Sequence, residues 1–179
     1  MRPLLLNLTT SLDGFIADRA GGIDWIQPPP DEADGLPMDY VELMRSVNTL
    51  VMGRATYELS LSIPGGMDVF EGKRACVFTS RADLAPHEGV EFVHDEPVAF
   101  VEQLKRGSGG TIWLYGGGRL ATALAAAGLI DDFLIVVQPV LLGEGIRLWQ
   151  DGLHTMRLEL MRTREWPGGL VELRYRPGG

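Results

Sequence analysis

The chain has 179 residues, 45% hydrophobic and 22% charged, with a net charge of −8. That length and balance suit one folded domain over residues 1–179 and exclude a disordered chain, while the acidic excess argues against nucleic acid or an anionic membrane surface as a partner. Cys76 is the only cysteine, which excludes an internal disulfide and a thiolate-cluster metal site, so no metal is expected.

Taken in order, residues 4–10 read as a first strand closed by the turn signal Asp13-Gly14. Arg2-Pro3 is followed only by this short apolar patch, unlike a secretory signal, and no apolar run has the length to cross a bilayer; a cytoplasmic location is expected. Residues 19–35 hold three glycines and the run Pro28–Pro30, which makes an ordered loop. Residues 38–47 place Tyr40, Val41, Met44 and Val47 at helical spacing. A buried strand over 49–52 and a short helix over 55–61 follow. Residues 75–79, which hold Cys76 in the apolar run ACVF, form another strand, and 90–93 a weaker one. A helix over 98–104 ends at Gly107, a strand covers 111–115, and an alanine-rich helix over 119–127 stops at Gly128. Residues 133–140 read as a strand with two apolar faces. The tail alternates over 157–164 and again over 170–176 after Pro167-Gly168-Gly169, an antiparallel hairpin with one wet face. The sum is an α/β domain with a mixed sheet and a hairpin on its edge.

Three junctions at strand ends, two of them leading into helices, carry the chemistry. In IWLYGGGRLAT (112–122) three successive glycines separate a buried strand from a helix. Free backbone N–H groups and the positive end of a helix dipole suit phosphate there, and glycine lets it approach the main chain. A tight turn with no ligand is the competing explanation. The string fits G-x-G-x-x-A through Ala121, yet four strands precede it, and Asp131 and Asp132 lie before the next strand rather than after it. Both features argue against a Rossmann domain. In LVMGRATYE (50–58) Gly53 meets a helix start, with Arg54 to pair with a phosphate and Thr56 to donate a hydroxyl. In VFTSR (77–81) a strand ends in Thr79, Ser80 and Arg81. Together they describe one crevice along the carboxyl edge of the sheet, and two arginines suit a 2′-phosphate, hence NADP(H) over NAD(H).

In this order the junctions resemble the dihydrofolate-reductase-like fold, and more closely the reductase domain of riboflavin biosynthesis and its stand-alone bacterial relatives. SLDGFIAD (11–18), Gly-Ile-Asp-Trp (22–25), LVMGRATYE, VFTSR, LYGGGRLATAL (114–124) and GLIDDFLIVVQPVLLGEGIRLW (128–149) carry the likeness, collinear over nearly the whole chain. The resemblance implies a central mixed, mostly parallel sheet of about eight strands, helices on both faces, and NADPH across it. It implies that Gly53, Arg54 and Thr56 contact the cofactor phosphates, that Arg81, with Thr79 and Ser80, lies near the 2′-phosphate, and that Gly116, Gly117 and Gly118, leading into Arg119, take the pyrophosphate. The loop from Ser11 to Ile16 would lie against the nicotinamide and substrate.

The reaction implied is NADPH-dependent reduction of a small heterocycle, of the 5-amino-6-(5-phosphoribosylamino)uracil type. Dihydrofolate reduction is the alternative, and a nucleotide-binding sensor of the same fold is the alternative outside catalysis. Hydride transfer to C=N or C=O needs a proton nearby. Asp39, in LPMDYVELM, occupies a spot similar to the pterin-holding carboxylate of dihydrofolate reductases, although a helix-start acid explains it equally. Asp13 is the other candidate, against a plain turn. The zinc deaminase domain of the bifunctional riboflavin enzymes needs a P-C-x-x-C signature that one cysteine cannot supply. His87, His94 and His154 read as surface residues. In PVLLGEGIRLW, glycines at 143 and 145 make a sharp turn that returns Leu148 and Trp149 to the core. In the family this stretch lies near a dimer contact, so a homodimer is expected.

Overall fold

Six parallel strands form the body of the sheet because the apolar runs are separated by helices that must cross back over it. In the computed structural model, which describes residues 1–27, 38–85 and 87–179 (for 38–40 the backbone only), ten strands and four helices follow one another. The strands are β1 (Leu4–Ser11), β2 (Phe15–Ala17), β3 (Val47–Gly53), β4 (Arg74–Phe78), β5 (Val90–Val93), β6 (Thr111–Gly116), β7 (Asp132–Gln138), β8 (Ile146–Arg147), β9 (Leu158–Trp166) and β10 (Leu170–Pro177). The helices are α1 (Met38–Ser46), α2 (Arg54–Ser62), α3 (Pro97–Arg106) and α4 (Gly118–Ala126). The main sheet has eight strands in the order β5-β4-β3-β6-β1-β7-β10-β9. Strands β5 to β7 in that order are mutually parallel, and β10 pairs antiparallel with both β7 and β9. The mixed sheet and its terminal hairpin are thus as the sequence pattern predicts.

Strand alternation divides the core in two. On one face Leu4, Leu6, Val51, Cys76, Ile112, Leu114 and Phe133 pack under α3 and α4 through Val101, Leu104, Leu120 and Leu124. Leu148 joins this cluster and Trp149 packs against it. On the other face Leu50, Met52, Ala75 and Val77 meet Tyr57 of α2, with Met44 of α1 and Trp113 at the margin. Burial pushes the Cys76 thiol up to about 11, which keeps it protonated and inert at neutral pH.

Most boundaries shift by one or two residues from the expectation, Val47 passing from the helix into β3. Strand β7 stops at Gln138 rather than at residue 140 because Pro139 has no N–H for a ladder. Strands β2 and β8 form a separate two-stranded antiparallel sheet, which residues this few cannot announce by alternation. Among the described residues no helix is long and apolar enough to cross a membrane.

Candidate functional site

Strands β1, β3, β4, β6 and β7 are parallel, so all five end at the same edge of the sheet. A cleft of about 1580 Å³ runs along that edge. Of the predicted residues, Gly53, Arg54, Thr56, Thr79, Ser80, Gly116, Gly117, Gly118 and Arg119 all line it. Three junctions far apart in the chain therefore meet in one concavity.

The helix starts at this edge are built in two ways. Helix α3 is closed by its own side chain, the Glu96 carboxylate accepting from Ala99 N at 3.0 Å. Helices α2 and α4 are headed by Gly53 and Gly117, and neither has a side-chain cap. Their first-turn N–H groups are left for something other than the chain's own side chains, and both helices open on the cleft.

The three glycines separate on inspection. Gly116 has φ +147°, a conformation that side chains strain to adopt, and its backbone lies under Thr56: a Cβ there would sit 3.1 Å from Thr56 Oγ1. At Gly118 a Cβ would meet the Arg147 carbonyl and would sit 2.8 Å from the Leu148 carbonyl oxygen. Both are explained by close approach of the chain to itself. Gly117 is different, since a Cβ would make only ordinary contact, 3.4 Å from Thr56 Oγ1. Packing does not require a glycine at 117.

The arginines also divide. Arg54 Nη1 pairs with Glu58 at 2.6 Å one turn along α2, and the pair is partly exposed. Arg119, exposed on the cleft wall, has no ion pair among the described residues. Arg81 lies outside the lining and spends its guanidinium on a fork to Asp83, with Nε–Oδ1 at 2.9 Å and Nη2–Oδ2 at 2.6 Å. That hydrogen bonding holds the Asp83 carboxyl down at about 2. The backbone of Arg81 is tied to Thr79 Oγ1 at 3.0 Å, and His94 Nδ1 sits 2.9 Å from the Thr79 carbonyl oxygen. His94-Asp95-Glu96 spells H-x-E, but Glu96 is spent as the α3 cap and no second cysteine exists, so it is not a zinc signature here.

Asp13 is held rather than free. Its Oδ1 accepts from Ser11 Oγ at 2.6 Å and from Leu142 N at 3.2 Å, and its Oδ2 accepts from Gly143 N at 2.7 Å. The Ser11 hydroxyl first, and then the Gly143 and Leu142 amides, lower its pKa below the ordinary aspartate value. The carboxylate thus ties the loop after β1 to the loop after β7, and it does not line the cleft. Asp39 lies in the first turn of α1, and its side chain is outside the described residues, as are Pro28–Pro30 and the rest of 28–37.

Sequence reasoning missed part of the lining. Asn7, Thr9, Trp113, Tyr115, Val136 and Gln138 lie on the cleft floor, and Ile23, Ile26 and Arg147 border it. Gln138 is buried and exchanges hydrogen bonds with the Gln27 backbone, Oε1 accepting from N at 3.4 Å and Nε2 donating to O at 3.3 Å. The guanidinium of Arg147 stands 4.8 Å over the ring of Phe15. In sequence these residues look like ordinary strand positions; only the parity of each strand would have put Asn7, Trp113 and Val136 on one face.

A mostly parallel eight-stranded sheet with a hairpin on one edge and a cleft at its strand ends defines the dihydrofolate-reductase-like class of α/β domain. Residues 58–171 match the model of the RibD C-terminal domain, and the chain belongs to that family. It is 34% identical over 174 residues to the uncharacterized protein YwjB of Bacillus subtilis (strain 168), covering 97% of each chain. A solved structure from Shewanella sp. PV-4, of a protein ascribed to riboflavin biosynthesis, superposes with a TM-score of 0.81 at 25% identity over 99% of both chains. The fold is also that of Enterococcus faecalis dihydrofolate reductase complexed with NADP(H), with a TM-score of 0.72 at 17% identity over 99% of this chain and 97% of that one.

Proposed function

We propose that this protein is an NADPH-dependent reductase of a small heterocyclic substrate, of the riboflavin-pathway type. The observation that carries the reading is the pair of uncapped helix starts, α2 and α4, that line one cleft and adjoin where Thr56 stands against Gly116 and Gly117. Two sets of open amides, with Arg54 and Arg119 beside them, form a donor set suited to a diphosphate. Glycine at 117, which packing does not demand, leaves room for such a group against the main chain.

In this reading Gly53, Arg54 and Thr56 hold one phosphate, and Gly116, Gly117, Gly118 and Arg119 the other. Thr79 and Ser80 line the adenosine end, where Arg81 exchanges Asp83 for the 2′-phosphate. The bound cofactor supplies a hydride. Asp39, at the head of α1, is the proposed proton source for the nitrogen or oxygen that gains charge as hydride arrives. Asp13, held ionised by three donors, is a poor proton donor; its proposed part is to hold the 11–16 loop in place. Leu141 and Ile146, 69% and 42% exposed, support a homodimer contact in the 139–149 stretch, which sedimentation tests.

Titration with NADPH should quench tryptophan emission and raise the melting temperature. No binding at about millimolar cofactor would sink the proposal. With a pyrimidine substrate, Asp39→Asn should lower kcat at least tenfold with NADPH affinity unchanged; undiminished turnover would remove Asp39 from the proton path. Tight binding of antifolates would move the reading to dihydrofolate, and cofactor binding without oxidation by any pterin, pyrimidine or aldehyde would favour the sensor.

A further inference from the structure

Two carboxamides lie buried on the cleft floor, and they are in opposite states. Gln138, 2% exposed, has both ends of its amide engaged by the backbone of Gln27. Asn7, 7% exposed, projects from β1 on the face that carries Trp113 and Val136. Its only side-chain hydrogen bond among the described residues is a weak one, Nδ2 to the Met44 sulfur at 3.7 Å. Its Oδ1 has no partner among them.

That acceptor is not sealed in the core but belongs to a cleft-lining side chain, so an arriving group can use it. The surroundings fix the orientation of whatever arrives. The Trp113 indole donates to the backbone carbonyl of Asn7 at 2.9 Å, which locks the ring beside β1, and its centroid lies 4.9 Å from that of Tyr115. Asn7 is thus a neutral, bifunctional hydrogen-bonding group set in an aromatic and apolar floor. A carboxamide offers one acceptor and one remaining donor side by side in a plane. The complementary group is an adjoining N–H and C=O, the lactam edge of a planar heterocycle.

We propose that Asn7 selects the substrate by pairing with such a lactam edge, and that it discriminates against edges presenting two donors. This rests on the reading of the cleft as a reductase site, and it deepens that reading by naming the group of the substrate that is recognised. Replacing the amide by a carboxylate of the same shape removes the donor and adds a second acceptor, so Asn7→Asp should invert the preference. A residue with a purely structural role would change stability and leave selectivity alone.

The test uses the full chain saturated with NADPH and two probes, 5,6-diaminouracil for the lactam edge and 2,4-diaminopyrimidine for the two-donor edge, at a pH where a ring nitrogen of the latter is protonated and so donates beside its amino group, with affinities from ligand-observed NMR. The wild type should prefer the uracil at least tenfold. Asn7→Leu should lose that preference, and Asn7→Asp should reverse it, each with NADPH affinity unchanged. Equal selectivity in all three proteins, or no uracil binding to the wild type at millimolar concentration, overturns the proposal. Should NADPH fail to bind while the uracil preference still follows residue 7, the cofactor assignment falls and the role of Asn7 stands. Far-ultraviolet circular dichroism identifies a variant that has not folded, and the isosteric Asn7→Asp then carries the decision.

Discussion

The two edges of the central sheet use similar polar residues to opposite ends. At the amino edge two buried cations are held by the chain's own acceptors. Arg2, 6% exposed, donates Nε to the Gly110 carbonyl at 2.9 Å and Nη2 to Asn48 Oδ1 and Thr49 Oγ1, both at 2.6 Å. Lys105 donates to the Leu129 carbonyl and to Asp131 Oδ2, which also accepts from Leu4 N at 2.6 Å. At the carboxyl edge two helix starts lack caps and Asn7 keeps an unused acceptor. Buried polar groups that satisfy one another hold a fold together, whereas those left open lower stability and are kept where a ligand completes them.

The comparison breaks most visibly at Asp131. Asp131→Ala leaves the nearly buried Lys105 ammonium with a single carbonyl, a loss of about 3 kcal/mol. That should lower the melting temperature by about 6–12 °C while leaving NADPH affinity at 25 °C untouched, as calorimetry and fluorescence titration would show. The mirror experiment is Gly117→Ala. The fold has space for the methyl, so the melting temperature should move by about 1 °C or less, yet NADPH affinity should fall about tenfold or more. A large stability loss at 117 with unchanged affinity would show that the carboxyl edge is closed after all.

A smaller contrast lies between the two cleft arginines. Arg119 has no ion pair to give up among the described residues, whereas Arg54 must leave Glu58. Arg119→Gln should therefore weaken NADPH about tenfold and Arg54→Gln about threefold, with the difference shrinking at high salt. The smallest effect concerns pH. The Asp13 carboxyl titrates below its unfolded value because Ser11, Gly143 and Leu142 donate to the charged form. A depressed native pKa gives stability that is complete above the ordinary carboxylate range and disappears as pH falls through the lowered value. Asp13→Asn should accordingly remove part of the fall in urea midpoint as pH drops below the ordinary carboxylate range, while the Asp83 carboxyl, held down at about 2, contributes to the same fall in both proteins.

What is legible in the sequence follows from what each signal depends on. Glycine, threonine and arginine at strand ends act locally, so LVMGRATYE and LYGGGRLATAL were legible as strand-to-helix turns and VFTSR as a strand end, all three at the cleft. The hairpin was legible because two alternating segments flank a turn. Asn7 and Gln138 were not, since each is one polar residue in an apolar run, and whether it is spent or open depends on residues 37 and 111 positions away. The same limit applied to Asp13, whose partners Leu142 and Gly143 lie about 130 residues on. In sequence it is a turn aspartate, and in the fold it is a clasp between two loops.

The sequence by itself determined the order of the main-sheet strands and their helices, the hydrophobic faces that pair them, and the glycine-rich strand ends that meet in the cleft, because periodicity and turn chemistry are properties of neighbouring residues. Only the tertiary structure decided which glycines answer to the chain's own packing, which arginines are already engaged, and which buried amide remains open. Those outcomes are set by distances between strands that never meet in sequence, where desolvation makes each unpartnered group count.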